Sequence, residues 1–147
     1  MILVGFIDWL LGREDETPNQ RQRSEHPVQK IEKEVLETII ESAKAAHPNE
    51  FAGALRAEGD TITAVLLVPG TVQGARHAVI RMNRLPVDRS VVGVVHSHPS
   101  KSARPSKEDL QLFGKHGHTH IIIHHPYTET TWRTWNHRGE PVHLDVV

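Results

Sequence analysis

The stretch from Val91 to Asp109 constrains this chain more than any other. It reads Val-Val-Gly-Val-Val, then His96-Ser97-His98-Pro99, then a polar run into Pro105-Ser106-Lys107-Glu108-Asp109. A short apolar run bounded by proline is the pattern of a buried strand. Side chains alternate across a strand, so His96 and His98 point to one face. Pro99 brings no backbone donor and favours ending the strand there. The fold must therefore set two imidazoles side by side at the end of a buried strand, with a carboxylate, Asp109, a short distance on.

Size and charge narrow what surrounds this element. The 147 residues suit one domain around one core. A formal net charge of −1, from 17 basic and 18 acidic side chains, gives no sign of a nucleic-acid or anionic-membrane partner. There is no cysteine, which excludes a thiol nucleophile, thiolate metal ligands and a disulfide framework. That absence fits a reducing cytoplasm, the expected location. The apolar start, Met1 to Leu11, is too short for a bilayer span of about 20 residues and lacks the basic flank of a secretory signal. It is expected to form a short helix docked on protein, the body or a partner, in preference to a membrane surface, with no transmembrane segment. Residues 12–27 are polar without an apolar period and read as a linker, so residues 1–27 and 28–147 are the expected divisions of the chain.

From Val28 onward the pattern is that of a folded domain. Ile31, Val35, Leu36, Ile39, Ile40 and Ala43 recur at helical spacing and predict an amphipathic helix over residues 29–46, stopped by His47-Pro48-Asn49. Strands are expected from Phe51 to Ala57, Thr61 to Val68, Arg76 to Asn83 and Val91 to His96. A short helix is expected from Ser106 to Lys115, then strands from Thr119 to His124, Thr130 to Asn136 and Val142 to Val147, with Gly139 in the turn between the last two. The order helix, strands, helix, strands indicates an α+β (or α/β-like) domain with a mixed sheet.

The His-x-His pair has a bland reading, as two polar residues at a strand end. Ser106 and Asp109 have one too, since Ser-x-x-Asp at a helix start approximates a capping box, with the acid in the first turn. The two readings combine. A helix whose first turn faces the strand end would carry Asp109 to the histidines, and two histidines with one carboxylate are the protein ligands of a common catalytic zinc site whose fourth position holds water.

These residues resemble a known family. His96-Ser97-His98-Pro99, with Pro105-Ser106-Lys107-Glu108-Asp109, is similar to the JAMM motif of the MPN+ (Mov34/Jab1-type) zinc metalloproteases, and His47-Pro48-Asn49-Glu50-Phe51-Ala52-Gly53 resembles the upstream element that carries the family's glutamate. The resemblance runs from residue 29 to about residue 136 and is that of a small prokaryotic member without long insertions. It implies a single MPN/JAMM domain, a curved mixed sheet flanked by a long N-terminal helix and a short helix after the His-x-His-Pro motif. It implies one Zn²⁺ per chain on His96, His98 and Asp109 with water as fourth ligand, Glu50 as general base and Ser106 as oxyanion donor. It also implies partners: conjugates of ubiquitin-like modifiers or sulfur-carrier proteins, cleaved at the carrier's C-terminal linkage. Two other readings stand beside it, a peptidase trimming a carrier-protein C-terminus and a non-catalytic MPN scaffold. DNA-repair-associated relatives carry a similar motif, but the chain has no basic patch for nucleic acid.

Further histidines (His116, His118, His120, His124 and His125) look like ligands but have no carboxylate at a suitable distance, so they are expected to be structural. His118 and His120 would cap the start of the strand that follows, and His124 or His125 is expected to lie near the mouth of the site. Trp132 and Trp135, three apart in a strand, should face opposite sides, one of them in the core.

Overall fold

The computed structural model describes residues 26–67 and 89–147. The expected N-terminal helix, nearly all of the linker and the strand from Arg76 to Asn83 lie outside the described residues. Within them the chain forms β1 (Lys30–Ile31), α1 (Lys33–Ala46), β2 (Ala52–Glu58), β3 (Thr61–Leu67), β4 (Val91–His98), α2 (Lys107–Lys115), β5 (His120–His124), β6 (Trp132–Trp135), β7 (Pro141–Val142) and β8 (Asp145–Val146). The strands make one sheet in the order β7-β6-β5-β4-β2-β3-β1-β8. It is mixed: β4 with β5, β1 with β3 and β1 with β8 run parallel, and the remaining pairs are antiparallel. The α+β expectation holds.

Two elements differ from the sequence reading. The first helix begins at Lys33, not at residue 29, and spans 14 residues. The amides of Gln29 and Lys30 bond to Asp60 O, and that of Glu32 to Ile62 O, so the sheet claims this backbone before a helix can form. Ile31, fully buried, belongs to the apolar set for that reason and not through helical spacing. The last strand, expected over residues 142–147, is instead two short strands. Pro141–Val142 pairs with β6, whereas Asp145–Val146 pairs with β1. These are the two ends of the sheet, and only His143 and Leu144 separate them. Three Cα steps reach at most roughly 11 Å, so the sheet must curl until its ends nearly meet. Bulges in β2 at Arg56 help the curl by increasing local bend and twist.

The alternation of β4 and β5 sorts side chains into two cores. On one face Val95, Ile121 and Ile123 join Leu55, Ile62 and the buried stripe of α1, which is Val35, Leu36, Ile39, Ile40, Ala43 and Ala46. On the other face Val94 and Ile122 pack with Ala52 and with Leu112 and Phe113 of α2. His96 and His98 have the parity of Val94 and so face α2. Trp132 and Trp135 do face opposite sides. Both are half-buried, Trp132 against the α1-side core and Trp135 against the α2-side core.

The β4–β5 contact leaves no room for side chains at two positions. A Cβ on Gly93 would lie 1.6 Å from Thr119 O. Gly117 has a φ of +110°, and its Cβ would lie 2.3 Å from Val92 O. Nearby, His120, the first residue of β5, is fully buried and does more than cap the strand. Its ring stacks on Phe113 with centroids 4.3 Å apart; Nδ1 accepts from the Val94 amide (3.1 Å) and Nε2–H donates to Gly117 O (3.0 Å).

Gly93→Ala is expected to lower stability by about 3 kcal/mol, because two backbones must separate. Gly114→Ala in α2, where nothing lies within 4 Å, should be neutral or stabilising by up to about 1 kcal/mol. Denaturant midpoints of the two variants test this, and equal midpoints would contradict it. Burial of His120 lowers its pKa from 6.5 to about 4 despite the carbonyls of Gly117 and Phe113. The unfolded chain then binds a proton between these pH values that the folded chain refuses. Stability should be fully present above pH 6.5 and fall as pH drops toward 4, by about 3 kcal/mol from this residue. Unfolding curves across that window should flatten in His120→Gln; an unchanged pH slope would assign the effect elsewhere.

Candidate metal centre

The strand end and the start of α2 meet at three side chains. His96 Nε2 lies 3.0 Å from Asp109 Oδ1, and His98 Nε2 lies 3.1 Å from Asp109 Oδ2. The two Nε2 atoms are 3.2 Å apart. Among the described residues, these are the group of three whose ligand atoms all lie within 4.8 Å of one another. His96 is buried, and His98 and Asp109 are mostly so.

Local structure explains the convergence. Ser106 is the N-cap of α2 in a complete capping box: the Asp109 amide donates to Ser106 Oγ (3.1 Å) and the Ser106 amide to Asp109 Oδ2 (2.8 Å). The carboxylate thus closes its own helix and faces the histidines at once, so the capping and ligand readings of Asp109 describe one geometry. Ser106 Oγ accepts within the cap, which leaves its hydroxyl proton able to donate outward.

The donor set fits a cation. His98 Nδ1 lies 3.0 Å from Ser102 O, which can only accept, so Nδ1 carries a proton and Nε2 is the ring nitrogen that can give up its own to a cation. Two ring nitrogens and a carboxylate then converge as zinc ligands do. Burial alone would raise the pKa of Asp109, but its bonds to His96 and His98 hold it well below the usual carboxylate range. Burial opposes protonation of His98; the Asp109 bond and the Ser102 carbonyl outweigh it and lift its pKa. The centre is arranged for an anionic carboxylate beside positive charge.

Glu50 lies close enough for its charge to couple to His96, His98 and Asp109. Burial raises its pKa, and the two histidines partly offset that rise. Its placement depends on a residue the sequence reading passed over. Ser97, fully buried between the two histidines, accepts the Phe51 amide at Oγ (2.8 Å) and donates its own amide to Phe51 O (3.0 Å). The middle residue of His-x-His thereby fixes the residue next to Glu50. Strand alternation turns Ser97 away from the two imidazoles, but its partner Phe51 is distant in sequence.

The remaining histidines have other engagements. His118 Nδ1 and His26 Nε2 both lie 2.8 Å from Thr119 Oγ1. His124 Nδ1 bonds to His125 O. The His125 amide donates to His98 O and Ser100 O, which places it at the end of the ligand strand.

Comparison with known proteins agrees with this geometry. Residues 32–138 match the family model described as prokaryotic homologs of the JAB domain. A probable metalloprotease of Haloferax volcanii is 39% identical over 127 residues, covering 80% of this chain and 78% of that protein. A solved structure described as "JAMM: a metalloprotease-like zinc site in the proteasome and signalosome" is 40% identical, with a TM-score of 0.66 over 82% of this chain and 98% of its own. A JAB1/MPN domain protein from Archaeoglobus fulgidus is 42% identical, with a TM-score of 0.67 over 81% and 99% of the two chains. Family and triad together support a metal, zinc, at this centre. The chain belongs to the prokaryotic homologues of the JAB domain and is a JAMM-type metallopeptidase.

Proposed function

We propose that the chain is an isopeptidase that cleaves the C-terminal linkage of a ubiquitin-like or sulfur-carrier protein. The observation that supports the reading is that the His96, His98 and Asp109 ligand atoms lie within 4.8 Å of one another, with Glu50 in electrostatic reach and Ser106 capping the helix of Asp109. His96, His98 and Asp109 would hold one zinc ion, which when bound supplies Lewis acidity and makes a water molecule acidic near pH 7. The Glu50 carboxylate takes the proton of the attacking water as the oxygen adds to the scissile carbonyl carbon. It then returns that proton to the nitrogen of the departing amine, and the C–N bond breaks. A carboxylate whose burial raises its pKa is suited to this exchange, because it must both accept and release a proton. The Ser106 hydroxyl donates to the oxygen that becomes anionic, from a position its helix cap holds fixed. The carrier's tail would bind extended, through backbone hydrogen bonds along a strand.

The same centre could trim a peptide from a carrier's C-terminus. A carrier joined by isopeptide bond to the lysine of a fluorescent peptide, run against a carrier with a C-terminal peptide extension, separates the two reactions. No helix among the described residues is long and apolar enough to cross a membrane. Cytoplasmic action on soluble conjugates is part of the proposal.

On the isopeptide probe, Glu50→Gln should keep bound zinc and lose about 10²–10⁴-fold in rate. His96→Ala or Asp109→Ala should lose both metal and hydrolysis, and a chelator should silence the wild type. Elemental analysis beside the rates checks this, and full activity in Glu50→Gln would remove Glu50 as base. Ser106→Ala should cost about 10²–10³-fold in kcat through the lost oxyanion donor. It should also cost about 1 kcal/mol of stability through the lost cap. Ser106→Gly, which costs a cap only a few tenths of a kcal/mol and carries no donor, should recover most of the stability without recovering kcat.

A further inference from the structure

Glu50 sits in the connection between α1 and β2, residues 47–51, whose downstream end is tied by the Phe51–Ser97 pair. The upstream end is tied as well. His47 Nδ1 lies 2.8 Å from the Tyr127 hydroxyl. The His47 ring stacks on that of His125, with centroids 4.7 Å apart and planes 16° from parallel. Tyr127 meets both imidazoles edge-on at 5.5 Å. Tyr127 is 2% exposed and anchored in the α1-side core, whereas His47 is exposed. The hydrogen bond from this buried tyrosine to a surface histidine adds little to the core itself; it fixes where the chain leaves α1.

The turn that holds His47 is also fastened to the metal ligands. The His125 amide donates to His98 O and Ser100 O, and the Tyr127 amide to His124 O. His124 pairs with His98 in the β4–β5 register. We propose that Tyr127 is a positioning residue for Glu50: through its bond to His47 it holds the glutamate's connection in register with the strand end that carries His96 and His98. The proposal rests on the reading of Glu50 as general base. Burial, and secondarily the charge of Glu50, raise the pKa of Tyr127, which places phenol and carboxylate in electrostatic reach and keeps the phenol a hydrogen-bond donor. Among the described residues His125 Nδ1 is buried without a hydrogen-bond partner, so stacking against His47 is what its ring contributes here.

The test compares Tyr127→Phe with the wild type, both loaded with zinc. The phenylalanine keeps the ring in the core and removes only the hydroxyl. Amide exchange at Asn49 and Phe51 should speed by about 10-fold, while the amides of β4 and β5 stay protected. On the isopeptide probe kcat should fall by about 10-fold or more with KM within about 2-fold, since small misplacements of a reacting group cost rate more than binding. Zinc content should not change. His47→Ala should reproduce the loss, and the double variant should be no worse than either single one. Unaltered exchange at Asn49 and Phe51, or a loss of rate that tracks lost zinc, would overturn the proposal. Glu50→Gln separates the two readings. If it is inactive while Tyr127→Phe matches the wild type, only the positioning role fails; if it is fully active, the base assignment fails and the positioning role with it.

Discussion

The site depends on the pairing of β4 with β2 on one side and β5 on the other. Strand alternation sends Val94, His96 and His98 toward α2 and sends Val95 and Ser97 the opposite way. One strand therefore supplies both imidazoles of the candidate metal centre and the serine that fastens the connection carrying Glu50. Its antiparallel neighbour β2 starts beside His96, with Ala52 opposite it, so register brings residue 50 to the two imidazoles. Its parallel neighbour β5 ends opposite His98 and delivers the turn of His125 and Tyr127. The bare Cα of Gly93 is what lets β4 and the start of β5 come this close.

Asp109 shows how the fold keeps a charge in a largely buried place. An unpaired carboxylate there would be neutralised by its own desolvation. Here two imidazoles and the Ser106 amide surround it, at the positive end of the α2 dipole, and the ionised form prevails. The helix cap and the His96–His98–Asp109 cluster share one carboxylate, and neither is a spare structural detail.

The local features of this architecture were legible in the sequence. Strand parity put His96 and His98 on one face, and Ser-x-x-Asp marked the start of α2 with Ser106 as its cap. Resemblance, not periodicity, singled out Glu50. What stayed hidden is set by contacts between distant residues. Lys30–Ile31 carries an apolar residue that fits the helical spacing of α1, yet Asp60 and Ile62 draw its backbone into the sheet. Strands of two residues, such as β1, β7 and β8, are too short to show any period. The bonds of Ser97 to Phe51 and of His47 to Tyr127 join residues 46 and 80 positions apart, and no short-range pattern signals them.

The curl of the sheet has a consequence for how these molecules behave when concentrated. An open sheet ends in unpaired amides and carbonyls that can template a neighbour's strand. In this sheet the terminal strands β7 and β8 are two residues long, and the two residues between them lash the ends together. Among the described residues, β7 and β8 themselves offer a second chain only two residues of ladder each. The closure thus shortens the ladder open to edge-to-edge growth at these two ends.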